Sequence, residues 1–150
     1  MSKTVKRSYL GRDFCIHVTI LDSTLGVFGN VSMDVKGQSI GPHSEPVFVL
    51  PFHNALLSAV HPNANLPDRL FVESGERLWR ELCNSNSPHR FPSTEGFDDY
   101  DIYVFNNGVK TRFLWLCLGS DISTLGDEII SSSTLESVFW EFHDDLFQDS

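Results

Sequence analysis

Residues 100–118 read YDIYVFNNGVKTRFLWLCL, two runs rich in aromatic and β-branched residues on either side of Asn107-Gly108. Asn-Gly accepts the positive-φ conformations of a tight turn, so the stretch predicts an antiparallel hairpin. A two-residue turn pairs Asn106 with Val109, Val104 with Thr111, Ile102 with Phe113 and Tyr100 with Trp115, matching apolar residues across the strands. Leu114, Leu116 and Leu118 make the end of the second strand apolar on both faces, the pattern of a central, doubly covered strand.

Towards the C-terminus, Ser133 and Glu136 have capping-box spacing ahead of Leu135, Val138, Phe139, Phe142 and Leu146, which predicts a terminal helix with those five on its core face. Towards the N-terminus, residues 84–96 read as a loop. Before it, Val72, Gly75, Leu78, Trp79, Leu82 and Cys83 gather on one side of an amphipathic helix supported by Glu73/Arg77 and Glu76/Arg80 pairs. Residues 61–67 form a loop, and Pro51 opens a short helix carrying Phe52, Leu56, Ala59 and Val60. Phe14, Ile16, Val18 and Ile20 alternate with polar residues. So do Val27, Val31, Met33 and Val35, giving a second hairpin, and Lys36-Gly37-Gln38 turns into a third strand near Ile40. The expectation is an α+β fold: an antiparallel sheet of two or more hairpins packed with about three helices, as a single domain over 1–150.

A chain of 150 residues buries a core without disulfide or metal staples. Eleven Lys plus Arg against 20 Asp plus Glu give −9, which argues against direct nucleic-acid binding. The charge is segregated: residues 1–94 carry eight acids and nine bases, whereas 95–150 carry twelve acids and two bases. No apolar run approaches ~20 residues and no secretory leader opens the chain; with three cysteines at unpaired spacing, the expectation is a cytoplasmic protein without membrane contact.

Dinucleotide, P-loop, zincin, nucleophile-elbow, EF-hand and CxxC patterns are missing, so no catalytic residue, cofactor or metal is expected. His53 and His61 match no compact ligand spacing and read as surface or loop histidines. Cys83 and Cys117 fall on apolar patterns and read as core. Cys15 and His17 share a strand face; a nucleophilic pair there is the enzyme alternative, against the simpler reading of a half-polar strand. Asp98, Asp99 and Asp101 read as a solvated acidic lead into the hairpin, suited to partner contact more than to a cation. On the last helix Glu141, Asp144 and Asp145 share one side, flanked by Trp140 and Phe147. Acids beside aromatic anchors suit a basic partner, and the plainer reading is a solubilising surface.

In order along the chain, Phe14-Cys15-Ile16, then Leu25-Gly-Val-Phe-Gly-Asn-Val-Ser-Met33, then Gly37-Gln-Ser-Ile-Gly41 and Phe113-Leu-Trp115 before a Phe-rich terminal helix resemble the small immunity proteins of bacterial contact-dependent growth inhibition and related polymorphic-toxin systems. The resemblance implies a cytosolic α+β protein that binds one cognate toxin domain, has no catalytic residues and varies in its contact residues. It nominates no position; Asp98, Asp99, Asp101, Glu141, Asp144 and Asp145 are candidates on charge alone, with Trp140 and Phe147 as candidate anchors beside them, and a basic nuclease is the expected partner. An acidic adaptor outside toxin systems shares the same surface logic. Reversing Asp144 and Asp145 to Lys is expected to slow association and leave the fold intact.

Overall fold

The computed structural model describes residues 4–21, 28–41, 47–84, 89–91 and 99–147. Alternation builds β1 (Thr4–Leu10), β2 (Phe14–Leu21) and β3 (Phe28–Val35) into an antiparallel sheet, continued by β4 (Gln38–Ile40) and by β5 (Val47–Phe48), which pairs with β3. Phe14 lies opposite Val35, Ile16 opposite Met33 and Val18 opposite Val31, all buried. Lys36 and Gly37 take positive φ in the turn between β3 and β4, as expected. The sheet also gains β1, a strand the polar start of the sequence did not advertise. The break at Asp22-Ser23-Thr24 lies outside the described residues.

The hairpin forms as β6 (Tyr100–Asn106) and β7 (Lys110–Cys117), and its register is two residues away from the expected one: Asn106 pairs with Thr111, Val104 with Phe113 and Ile102 with Trp115. The turn is longer because Asn107 closes it with its side chain, Oδ1 accepting from the backbone N–H of Val109 at 2.9 Å and of Lys110 at 2.8 Å. A slip of two preserves which side chains face the core, so hydrophobic pattern alone does not distinguish the registers. β8 (Gly126–Ser131), unforeseen, completes a second three-stranded sheet on the far side of β7. At Gly126 a Cβ would enter the Trp115 ring, so glycine is required where β8 crosses it.

The described residues form four α-helices: α1 (Val49–Val60), the single turn α2 (Arg69–Val72), α3 (Gly75–Cys83) and α4 (Ser132–Leu146). The predicted helix near Val72 is interrupted before Gly75, leaving Val72 exposed, while Leu78, Trp79 and Leu82 are buried. Its Glu73–Arg77 and Glu76–Arg80 pairs form at 3.4 and 2.9 Å. The capping box does not form: α4 starts earlier, with Ser131 as N-cap, because β8 runs directly into the helix. Cys83 and Cys117, expected in the core, are exposed at the ends of α3 and β7. Leu118 is exposed just beyond β7.

α1 and α4 touch each other, and each contacts both sheets. They share one core with the inner face of the first sheet and the Ile102–Val104–Phe113–Trp115 face of the second. The other face of the second sheet, with Tyr103, Phe105 and Leu114, packs a separate core with α2 and α3. Within the loop expected at 84–96, the described residues 89–91 lie along the edge of β6, where Phe91 N–H donates to Ile102 O at 2.7 Å. The result is a single α+β domain with two antiparallel sheets.

Candidate partner-binding surface

The inner face of α4 is consumed by Leu135, Val138, Phe139 and Phe142, and its N-terminus is fixed by a buried hub at Asn106. Asn106 Nδ2 donates to the carbonyls of Ala59 and Val60, and its Oδ1 accepts from Ser132 Oγ at 2.8 Å, joining the end of α1 to the start of α4. The two helices therefore run antiparallel, and the outer face of α4 is left to Glu136, Trp140, Glu141, Asp144 and, just past its end, Phe147. Trp140 is 39% and Phe147 51% exposed, so two large aromatic residues stand in solvent beside carboxylates.

Asp145 is different from its neighbours. Its Oδ2 accepts from the Tyr9 hydroxyl at 3.0 Å and lies 3.7 Å from Arg7. Burial, then the bond to Asp145, pushes the Tyr9 pKa up to about 12, so the phenol stays protonated and donates. Asp145 thus ties α4 to β1, so reversing its charge is expected to cost stability: a lysine there would meet Arg7 and strand a buried hydroxyl.

Asp99 is exposed at the start of β6. Asp101 is ion-paired with Arg90 and shares the strand parity of Tyr103 and Phe105, the face turned towards α3 and away from α4. The structure therefore groups Trp140, Glu141, Asp144 and Phe147 on one helix and sets Asp101 apart from them. Asp98 lies outside the described residues.

The histidines depart furthest from expectation. His53, read as a surface or loop residue, is 2% exposed: it sits at the 49-52-53-56-60 spacing of the buried stripe of α1, a signal already present in the sequence. Its Nε2 lies 2.8 Å from His143 Nδ1. His61 is exposed in the loop after α1. His17 does not pair with Cys15; Nδ1 meets Ser8 Oγ at 2.8 Å and Nε2 meets Asp34 Oδ2 at 2.8 Å, while Ser39 Oγ donates to Asp34 Oδ1 at 2.7 Å. Cys15 Sγ turns to Gly11 O instead. The Ser–His–carboxylate order is that of a hydrolase relay, which also requires preorganised oxyanion donors in a water-excluded site. Here Ser8 is exposed on an open sheet face, and the chain links β1 through β4 side by side. Among the described residues no group of three or more His, Cys, Asp or Glu could hold a metal ion, and no helix is long and apolar enough to cross a membrane.

No protein-family model and no curated protein matches the chain. Among solved structures, it is similar to the crystal structure of CdiI from Burkholderia dolosa AUO158, with a TM-score of 0.72 over 93% of this chain and 99% of that one, at 16% identity. The chain has the CdiI fold. At this identity the CdiI likeness is one of backbone path over nearly the whole length. The candidate surface therefore rests on the α4 residues of this chain and not on positions carried over from the Burkholderia CdiI.

Proposed function

We propose that this chain is a cytoplasmic immunity protein of a contact-dependent growth inhibition system, a stoichiometric binder that neutralises one cognate toxin domain and performs no catalysis. The observation that carries the reading is the match to CdiI over nearly the full length of both chains. The partner we propose is a basic nuclease, and its contact is the outer face of α4. A nuclease site must attract phosphate, and Glu141 and Asp144 present carboxylates to that field while Trp140 and Phe147 supply aromatic anchors. Asp98, Asp99 and Asp101 are proposed as a second contact, separate from the α4 face, with Asp101 already held by Arg90; Asp145 belongs to α4 but acts in the fold.

The test is capture of a partner from the native host with tagged protein, followed by titration of the captured domain. We expect a basic domain, toxic alone, whose nucleic-acid cleavage stops at one-to-one ratio. Capture of a domain whose activity persists at saturating protein would overturn the reading.

A further inference from the structure

We propose that His53 and His143 form a latch that holds at most one proton: it clamps the last turn of α4 to α1, and a second proton releases that turn together with Trp140 and Phe147. The role of those two residues in partner contact rests on the function proposed above; the latch itself does not.

The geometry decides how many protons fit. His53 Nδ1 is 3.0 Å from Asn54 Oδ1, and its Nε2 is 2.8 Å from His143 Nδ1. The tautomers that satisfy both bonds have His53 Nδ1–H donating to Asn54 and His143 Nδ1–H donating to His53 Nε2. One proton added at His143 Nε2 leaves both bonds intact. That nitrogen belongs to a ring only half-buried beside Trp140 and Phe147, whose centroids are 5.0 and 4.9 Å from it. A second proton must enter at His53 Nε2. It would set N–H against N–H at 2.8 Å and place an imidazolium against Phe139, Phe142 and Phe147, at 5.2, 5.9 and 4.9 Å.

The charged groups on the elements around the pair do not answer that second charge. On α4, Glu141 and Asp144 are exposed on the outer face, and Asp145 turns to Tyr9 and Arg7 of β1. β3 and β6 also pack against α1, but Asp34 of β3 is bonded to His17 of β2 and to Ser39 on the outer sheet face, and Asp101 of β6 pairs with Arg90 on the side of α3; of β7 and β8, which pack against α4, Arg112 and Asp127 pair with each other. Burial lowers the proton affinity of His53, the bond to Asn54 opposes this and the nearby His143 adds to it; the net direction is down. A histidine with a depressed folded pKa stabilises the closed form above its ordinary value, and that contribution is lost as pH falls towards the depressed one. Only the end of the helix needs to open, since the Phe147 N–H to His143 O bond closes its final turn.

Residue-resolved amide hydrogen exchange on the free, full-length chain tests the latch, with rates corrected for intrinsic chemistry. Between about pH 6.5 and 5.5 the opening constant of the turn around residues 143–147 should rise by up to tenfold, as uptake of one proton requires, while amides near Val138 do not change. His53→Phe keeps a ring in the cage and removes the second proton site, so its turn should open independently of pH. Imidazole nitrogen spectra of the wild-type chain give the same answer without a variant: in the closed state only one of the two rings should reach the doubly protonated form. Two imidazolium rings in a chain whose helix end stays protected, or a wild-type pH dependence retained by His53→Phe, would overturn the latch. No partner enters these readouts, so the capture experiment judges the toxin reading separately.

Discussion

The first sheet sends Ile16, Val18, Val31, Met33 and Val35 into the core and turns Ser8, His17, Ser32, Asp34 and Ser39 outward, whereas the second sheet buries Ile102, Val104 and Phe113 on one side and Tyr103, Phe105 and Leu114 on the other. A one-sided sheet can spend its free face on hydrogen bonds that cross the strands, as the Ser8–His17–Asp34–Ser39 chain does. A two-sided sheet must satisfy its polar groups internally. Arg112, 4% exposed, does so through paired bonds to Asp127 at 2.8 Å each and a third to Leu70 O at 3.0 Å, which also fastens α2 to the sheet. The difference explains where the molecule can carry function: the second sheet is enclosed, and α4, filling the space between the sheets, presents its remaining face to solvent.

The sharpest way to break this contrast is truncation on both faces of each sheet. Phe113→Ala and Phe105→Ala, on opposite faces of the second sheet, should each cost about 3–5 kcal/mol in denaturant unfolding. In the first sheet Met33→Ala should cost about 2–5 kcal/mol, while Ser32→Ala on the outer face should stay within about 0.5 kcal/mol. Equal costs on both faces of the first sheet would contradict the layering. Next in size is Asp127→Ala, which leaves the Arg112 guanidinium buried with only Leu70 O. A loss of about 3 kcal/mol is expected, tempered by the partial exposure of Asp127, and Arg112→Met together with Asp127→Ala should recover part of it.

Period-two alternation made β2 and β3 legible and the turn residues pointed to β4, whereas β1 and β5 were not visible; the Asn-Gly hairpin was visible in the second sheet, but its register was not. The competing pairings bury the same side chains, and the choice falls to the Asn107 side chain and to β8. That last strand was hidden because Asp127 and Glu128 mask its apolar positions until Arg112 is known to face Asp127. The candidate surface was half legible for a similar reason. Charge and helical spacing single out Glu141 and Asp144, but only the fold shows that Asp145 meets Tyr9 and that Asp101 meets Arg90. His53 belongs to the buried stripe of α1 despite its polar ring, because Asn54 and His143 satisfy both ring nitrogens there.

Asp145→Ala sharpens the distinction within α4: removal of the partner of buried Tyr9 should cost about 1–3 kcal/mol, whereas Glu141→Lys with Asp144→Lys should change stability by no more than about 0.5 kcal/mol per site. Smallest is the pH response of the outer face. Burial would raise the Asp34 pKa, but the bonds from Ser39 and His17 and the charge of His17 outweigh it, so the carboxyl sits below its ordinary value. Asp34 therefore stabilises the fold above the ordinary carboxylate pKa, and this contribution disappears as pH falls through the depressed value. Asp34→Asn should flatten the acid limb of the stability curve there; an unchanged limb would show that the ladder does not hold the sheet.

The proposed capture of a basic toxin domain by the acidic face of α4 is tested by the association rate of the captured domain. Glu141→Lys with Asp144→Lys should slow association by about tenfold or more at low salt, with a weaker ionic-strength dependence and an unchanged melting temperature. Association at the wild-type rate by the folded double variant would contradict the account.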